Sequence, residues 1–161
     1  RYGLDDYGIK GKGITFSIRK SDGIDEEVAT LIQITKHDRV IAYEFCFGVE
    51  VMISAIENEP SIHCASYISK VMPFNDTVES KQLQDSIATL TAMYRYGVKA
   101  GCQNNPNAIA KKVMKQLRML ADSMRLDQND IYSWVAGFEL LEFGDVTDVA
   151  DRIINDLGRY N

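Results

Sequence analysis

Histidine and cysteine are scarce in this sequence, and their spacing matches no metal-binding or disulfide motif. The 161 residues include two histidines and three cysteines, without a CxxC, HxxxH or HExxH pattern. His63 and Cys64 are neighbours, but adjacent residues of a strand point to opposite faces and do not readily share a metal ion. An odd number of cysteines without paired spacing indicates reduced thiols. We therefore predict no metal site, no cofactor and a reducing, cytoplasmic compartment.

Long apolar runs are also missing from the chain. A helix that crosses a bilayer needs about 20 consecutive apolar residues, whereas the longest apolar stretch, residues 40–56, is interrupted by Glu44, Gly48 and Glu50. The first residues do not combine a basic segment with an apolar one, so we expect no signal peptide. The sequence predicts no membrane span and no membrane partner.

Recognisable catalytic and phosphate-binding motifs are absent as well. Glycines and lysines alternate in residues 8–13, but they follow neither the P-loop nor the dinucleotide-binding pattern. Cys102 lies in a predicted loop, and no base near it in the sequence could activate its thiol. We predict no catalytic residue, and an enzyme whose site is not visible in the sequence is the third of three functional interpretations.

The residues that are present indicate one globular domain. Apolar residues make up 45% and charged residues 25% of the chain, near the averages for globular proteins. The length suits a single domain over residues 1–161. We therefore divide the chain only by its periodicity, into residues 1–77 and residues 78–161.

The first part has the alternation of half-buried strands. The predicted strands are residues 14–18, 28–35 and 40–47, with a tight turn at His37 and Asp38 that makes a hairpin of the last two. Residues 1–13 are predicted to be an extended arm or loop. Residues 49–56 fit a short helix better than a strand, and residues 61–69 resemble a weak fourth strand. Cys46 and Cys64 are predicted to be small core residues.

From Thr77 onward the apolar residues recur with the period of a helix. Predicted helices cover about 78–100 and 106–125, and two more start near Asp127 and near residues 145–147. Asp76 with Glu79 resembles a capping box at the start of the first of these helices. The overall prediction is an α+β fold, in which an antiparallel β-meander of three or four strands with one short helix precedes a C-terminal cluster of about four helices.

Charged residues are unevenly distributed along the chain. The net charge of −5 comprises −4 in residues 1–77, +5 in residues 78–126 and −6 in residues 127–161. The basic side chains that form the candidate binding face of the helix at about 106–125 are Lys111, Lys112, Lys115, Arg118 and Arg125. This face could contact phosphates or an acidic partner. Alternatively, it is a solvated face or pairs with the acidic residues of 127–161.

The leading functional interpretation is a non-enzymatic protein–protein interaction or assembly module. It rests on the missing catalytic motifs and on the segregated charge, since basic and acidic surfaces of two copies are complementary and favour self-association. The partner would be another protein or a second copy, and a small viral or phage accessory or structural protein fits this description. The alternative interpretation is a nucleic-acid-binding domain that uses the basic helix face.

Overall fold

A computed structural model describes residues 7–73, 75–101 and 105–160, together with the backbone of residues 2–4. The predicted α+β arrangement is confirmed, with strands first and helices after them. The chain forms two compact units, Arg1–Ala65 and Ser66–Asn161. Within the described ranges, no helix is both long enough and apolar enough to cross a membrane.

The first unit contains a four-stranded antiparallel sheet in the order β1-β2-β3-β4. Its elements are β1 (Tyr2–Leu4), β2 (Ile9–Arg19), β3 (Asp25–Lys36), β4 (Arg39–Phe47), α1 (Val49–Glu57) and the single turn α2 (Ile62–Ala65). Each strand pairs with the next along the chain, as short connections between antiparallel strands require. The predicted short helix after residue 48 is confirmed as α1.

The turn between β3 and β4 consists of His37 and Asp38, as predicted. Both residues have positive φ, 48° and 65°, which are the angles of the type I′ turn that matches the twist of a two-residue hairpin. The backbone N–H of His37 donates a hydrogen bond to the carbonyl oxygen of Gly8 at 3.1 Å. A Cβ atom on Gly8 would lie 2.7 Å from the His37 ring, so only glycine fits at this position without a shift.

Two predictions of secondary structure within residues 1–77 are wrong. Residues 1–13 are not an arm, because they contain β1 and the start of β2, where Gly11 and Gly13 pair with Ile34 and Ile32. Cross-strand pairing therefore overrides the low strand preference of glycine. Residues 61–69 are not a strand but α2 followed by a 3-10 turn. In this segment the side chains of Ser61 and Ser69 bond to nearby backbone groups, which competes with strand pairing.

The second unit is helical. It contains a 3-10 turn (Tyr67–Lys70), α3 (Val78–Arg95), α4 (Asn105–Met124), α5 (Gln128–Phe143), α6 (Val149–Leu157) and a final 3-10 turn (Gly158–Tyr160). Asp127 caps α5 as predicted, since its side chain accepts a hydrogen bond from the N–H of Asn129. The cap of α3 is Thr77 rather than Asp76, because the Thr77 hydroxyl accepts from the N–H of Ser80.

The core of the second unit joins apolar stripes from all four helices. Its fully buried members include Leu83, Ile87, Leu90, Tyr94, Met114, Leu117, Ile131, Val135, Ile153 and Leu157. The four residues from α3 in this set belong to the stripe that the helical period predicts. Helical periodicity in this part of the chain therefore identifies the buried face correctly.

The carboxylate of Glu139 is fully buried in the second unit. Its Oε1 accepts from Arg95 Nη1 at 2.7 Å and from the Thr147 hydroxyl at 2.6 Å, and its Oε2 accepts from the Thr147 N–H at 3.0 Å. Arg95 also contacts Asp145. Burial raises the pKa of Glu139, but the hydrogen bonds from Thr147 and Arg95 outweigh it and hold that pKa below the ordinary value.

Candidate functional site

Three cross-strand rows of residues form one face of the sheet. The rows are Lys12–Gln33–Tyr43, Ile14–Leu31–Phe45 and Phe16–Ala29–Phe47, each with one residue from β2, β3 and β4. Residues that lie directly opposite each other on paired strands point to the same side, as do residues two apart on one strand. The nine side chains therefore share one side of the sheet, which we call the aromatic face.

The opposite side of the sheet is covered by α1. Ile32 lies between Leu31 and Gln33 on β3, so its side chain points away from the aromatic face. Ile32 and Val28 are buried, and α1, which contacts β3, contributes the buried residues Ser54 and Ala55. The first unit thus builds its small core on one side of the sheet alone.

The aromatic face is open to solvent. Large apolar side chains on it are exposed to 65% at Tyr43, 59% at Ile14, 57% at Phe45, 54% at Phe47 and 44% at Phe16. Since a large side chain has about 150–250 Å² of surface, these five together expose on the order of 500 Å². That is near the size of the largest apolar patch on a typical monomer, and patches of this size are often functional.

The aromatic face contains a cluster of rings and an open cavity beside it. The Phe45 ring contacts the Phe16 ring edge-on at a centroid distance of 6.3 Å, and it contacts the Phe47 ring at 5.7 Å. Beside these three rings lies an open cavity of about 260 Å³, lined by Lys12, Gly13, Ile14, Leu31, Gln33 and Tyr43. The Gln33 amide donates a hydrogen bond to the Tyr43 hydroxyl at 3.1 Å. A cluster of aromatic rings and an open cavity therefore lie next to each other on the same face.

β4 forms one edge of the sheet, and all nine of its residues are exposed. The predicted core position of Cys46 is wrong for this reason, and Cys64 is only half-buried. The Cys46 thiol donates to the carboxylate of Glu44 at 3.3 Å, and this bond raises the pKa of the thiol. A raised pKa lowers the fraction of thiolate, which is the form of cysteine that acts as a nucleophile. Cys102 lies outside the described residues.

The predicted basic face lies on α4. Lys112 and Lys115 are exposed, Lys111 and Arg118 are half-buried, and Arg125 follows the end of the helix, exposed. Arg118 forms a two-point ion pair with Asp122 of the same helix, at 2.9 and 3.0 Å. Asp122 thus neutralises part of this face, and its spacing of four residues from Arg118 is the sequence signal for that pairing.

The two histidines do not assemble a metal site. His37 lies in the turn between β3 and β4, and His63 lies in α2. Among the residues that the structure describes, no group of three or more His, Cys, Asp or Glu side chains is arranged to hold a metal ion.

The aromatic face is the feature that the sequence interpretation missed. The alternation of Tyr43, Phe45 and Phe47 is visible in the sequence, but apolar residues such as Val40, Ala42 and Cys46 also occupy the intervening positions. A strand that is apolar on both faces is typical of a buried strand, whereas β4 lies at an edge. No family model, curated protein or solved structure matches this chain, so the case for a function rests on the chemistry of these surfaces.

Proposed function

We propose that this chain is a non-enzymatic protein–protein interaction module that binds its partner through the aromatic face. The observation that carries the proposal is the joint exposure of Ile14, Phe16, Tyr43, Phe45 and Phe47 on one side of the sheet. Aromatic residues are enriched at the centres of protein interfaces, where they act as binding hot spots. Covering on the order of 500 Å² of apolar surface contributes on the order of 10 kcal/mol before the costs of association are subtracted.

Photo-crosslinking in the cells that make this chain tests the proposal. We would replace Phe45 with the photoreactive amino acid benzoylphenylalanine in the full chain, and make the same replacement at Ile24. Ile24 is the matched control because it is also exposed, in the same unit, but lies in the turn before β3 and outside the three rows. We expect illumination to yield a protein adduct from position 45 and none from position 24. Equal yields from both positions would contradict the proposal.

A second candidate function is nucleic-acid binding by α4. The exposure of Lys112 and Lys115 on one helix, with Arg125 just beyond its end, favours it. The ion pair between Arg118 and Asp122 and the net charge of −5 weaken it, since an acidic molecule is repelled from phosphate at long range. For this reason it ranks below the interaction module.

Mobility shift with single- and double-stranded DNA and RNA at low salt tests this second function. If α4 binds phosphates, the double variant Lys112→Gln/Lys115→Gln should weaken binding and lower the slope of log K against log salt by about 2, near one unit for each lost phosphate contact. A control variant, Lys36→Gln/Lys99→Gln, removes two exposed lysines that are not on α4 and should leave the slope unchanged. Absence of any complex with the unmodified chain would eliminate the function.

A further inference from the structure

The shape of the aromatic face allows it to pack against a second copy of itself. Its middle row, Ile14–Leu31–Phe45, separates a row that lines the cavity from a row that carries the exposed phenyl rings of Phe16 and Phe47. An apolar cavity of about 150 Å³ is large enough to hold a benzene ring. The cavity of about 260 Å³ on this face therefore has room for a phenyl side chain.

We infer that the partner of the aromatic face is a second copy of this chain, packed face to face about a two-fold axis that runs along the middle row. This inference rests on the proposed function, since it names the occupant of the same surface. This axis lies midway between the two stacked sheets and is perpendicular to their strands. Rotation about it places the second copy with its strands antiparallel to those of the first. It also places each outer row of one copy over the opposite outer row of the other. The phenyl row of one copy then lies over the cavity row of the other, which is the self-complementary contact that a symmetric dimer requires.

The residues that this symmetry brings together are chemically matched. Lys12 of one copy lies over Phe16 of the other, where an ammonium group can contact the face of an aromatic ring. Tyr43 lies over Phe47, which makes an aromatic pair, and Gln33 lies over the small side chain of Ala29. Each contact occurs twice, and the middle row of one copy packs on the middle row of the other.

The area of the aromatic face agrees with a dimer of modest affinity. Two copies that each cover on the order of 500 Å² bury on the order of 1,000 Å² in total, which is where specific protein interfaces begin. Packed sheets lie about 10 Å apart with their strand directions within about 30° of each other, and the antiparallel stacking that this axis produces falls within that range. Interfaces of this size are typical of weak, transient complexes, so we expect a dissociation constant in the micromolar range or above.

Sedimentation equilibrium of the full chain, over a concentration series that covers this range, tests the inference. The unmodified chain should dimerise, and the double variant Phe45→Thr/Phe47→Thr should raise the dissociation constant at least 100-fold. Threonine keeps the strand preference of these positions, and circular dichroism checks that the variant is folded. Should it fail to fold, Lys12→Glu changes only an exposed residue and should still weaken the dimer at least 10-fold. The control Ile24→Thr should dimerise like the unmodified chain.

Crosslinking separates failure of this inference from failure of the proposed function. With benzoylphenylalanine at position 45, a mixture of isotope-labelled and unlabelled chain should give a mixed-mass dimer joined within residues 39–47 of the second copy. A monomeric chain with an adduct to a different protein would overturn the inference that the partner is a second copy. The proposed function as an interaction module would still hold. A monomer without an adduct would overturn both. If both the double variant and Lys12→Glu still dimerise like the unmodified chain, the dimer contact lies outside the aromatic face and the inference is overturned.

Discussion

Replacing Arg95 with methionine is expected to lower the free energy of unfolding of the helical unit by about 3–5 kcal/mol. The side chain of Arg95 is 23% exposed, and its guanidinium contacts Glu139, whose side chain is fully buried. Methionine keeps most of the length of the side chain but removes its charge, which leaves the Glu139 carboxylate in the core with Thr147 as its remaining hydrogen-bond donor. An uncompensated buried charge is among the most costly single defects in a protein.

Urea unfolding followed by circular dichroism measures this effect. The matched control is Arg118→Met, which removes an arginine of similar exposure whose partner, Asp122, lies on the surface of α4. Exposed ion pairs contribute about 0–1 kcal/mol, so the control should change stability little. Equal losses in the two variants would show that the buried position of Glu139 does not matter.

The pH dependence of stability gives a second readout of the same network. In the unmodified chain the pKa of Glu139 is lower in the folded state than in the unfolded state, because the bonds from Thr147 and Arg95 outweigh the effect of burial. The contribution of this group is therefore complete above its unfolded pKa and is lost as the pH falls through its folded pKa. Without Arg95 the folded pKa of Glu139 rises, and we expect this acid-side loss of stability to shrink or to change sign.

Replacing Leu117 with alanine is expected to lower the free energy of unfolding by about 2–5 kcal/mol. Leu117 is fully buried in the core of the helical unit, so truncation to alanine removes buried methyl groups and leaves a cavity. The size of the loss depends on how far α3 and α6, which contact α4, can move to fill that cavity.

The control for this prediction lies two residues along the same helix. Met119 is 72% exposed, so Met119→Ala should change the free energy of unfolding by less than about 0.5 kcal/mol. Thermal and urea unfolding of both variants should agree in rank. A loss from Met119→Ala as large as that from Leu117→Ala would mean that α4 is oriented differently from the described structure.

The helical half of the fold could be predicted because its signals are local. Leu83, Ile87, Leu90 and Tyr94 recur at helical spacing, and the side of α3 that they define is the side that the core covers. Helix ends are less certain from sequence, since Asp76 and Thr77 are both good capping residues and one position separates them. The burial of Glu139 could not be predicted from sequence, because its partner Arg95 lies on a different helix far away in the chain.

The sheet was harder to predict, for a physical reason. Alternation identifies a strand and divides its residues into two sets, but it does not say which set another element covers. Phe45 and Cys46 are both apolar neighbours on β4, so the sequence favours burial of both, and in the structure both are exposed. The basic face illustrates a related limit, because the lysines of α4 are visible in the sequence whereas their exposure is a property of the packing.

The open edge of β4 has a consequence for how the protein behaves at high concentration. No described strand pairs with its outer side, so about every second residue of β4 directs its backbone N–H and C=O groups away from β3, where a strand from another molecule can pair with them. A dimer that covers the aromatic face leaves this edge free, and sheet growth through it has no natural end point. Arg39 and Glu44 are the charged residues of this strand. Charged side chains on an edge strand oppose its pairing with a second strand, so these two residues disfavour fibril growth through β4.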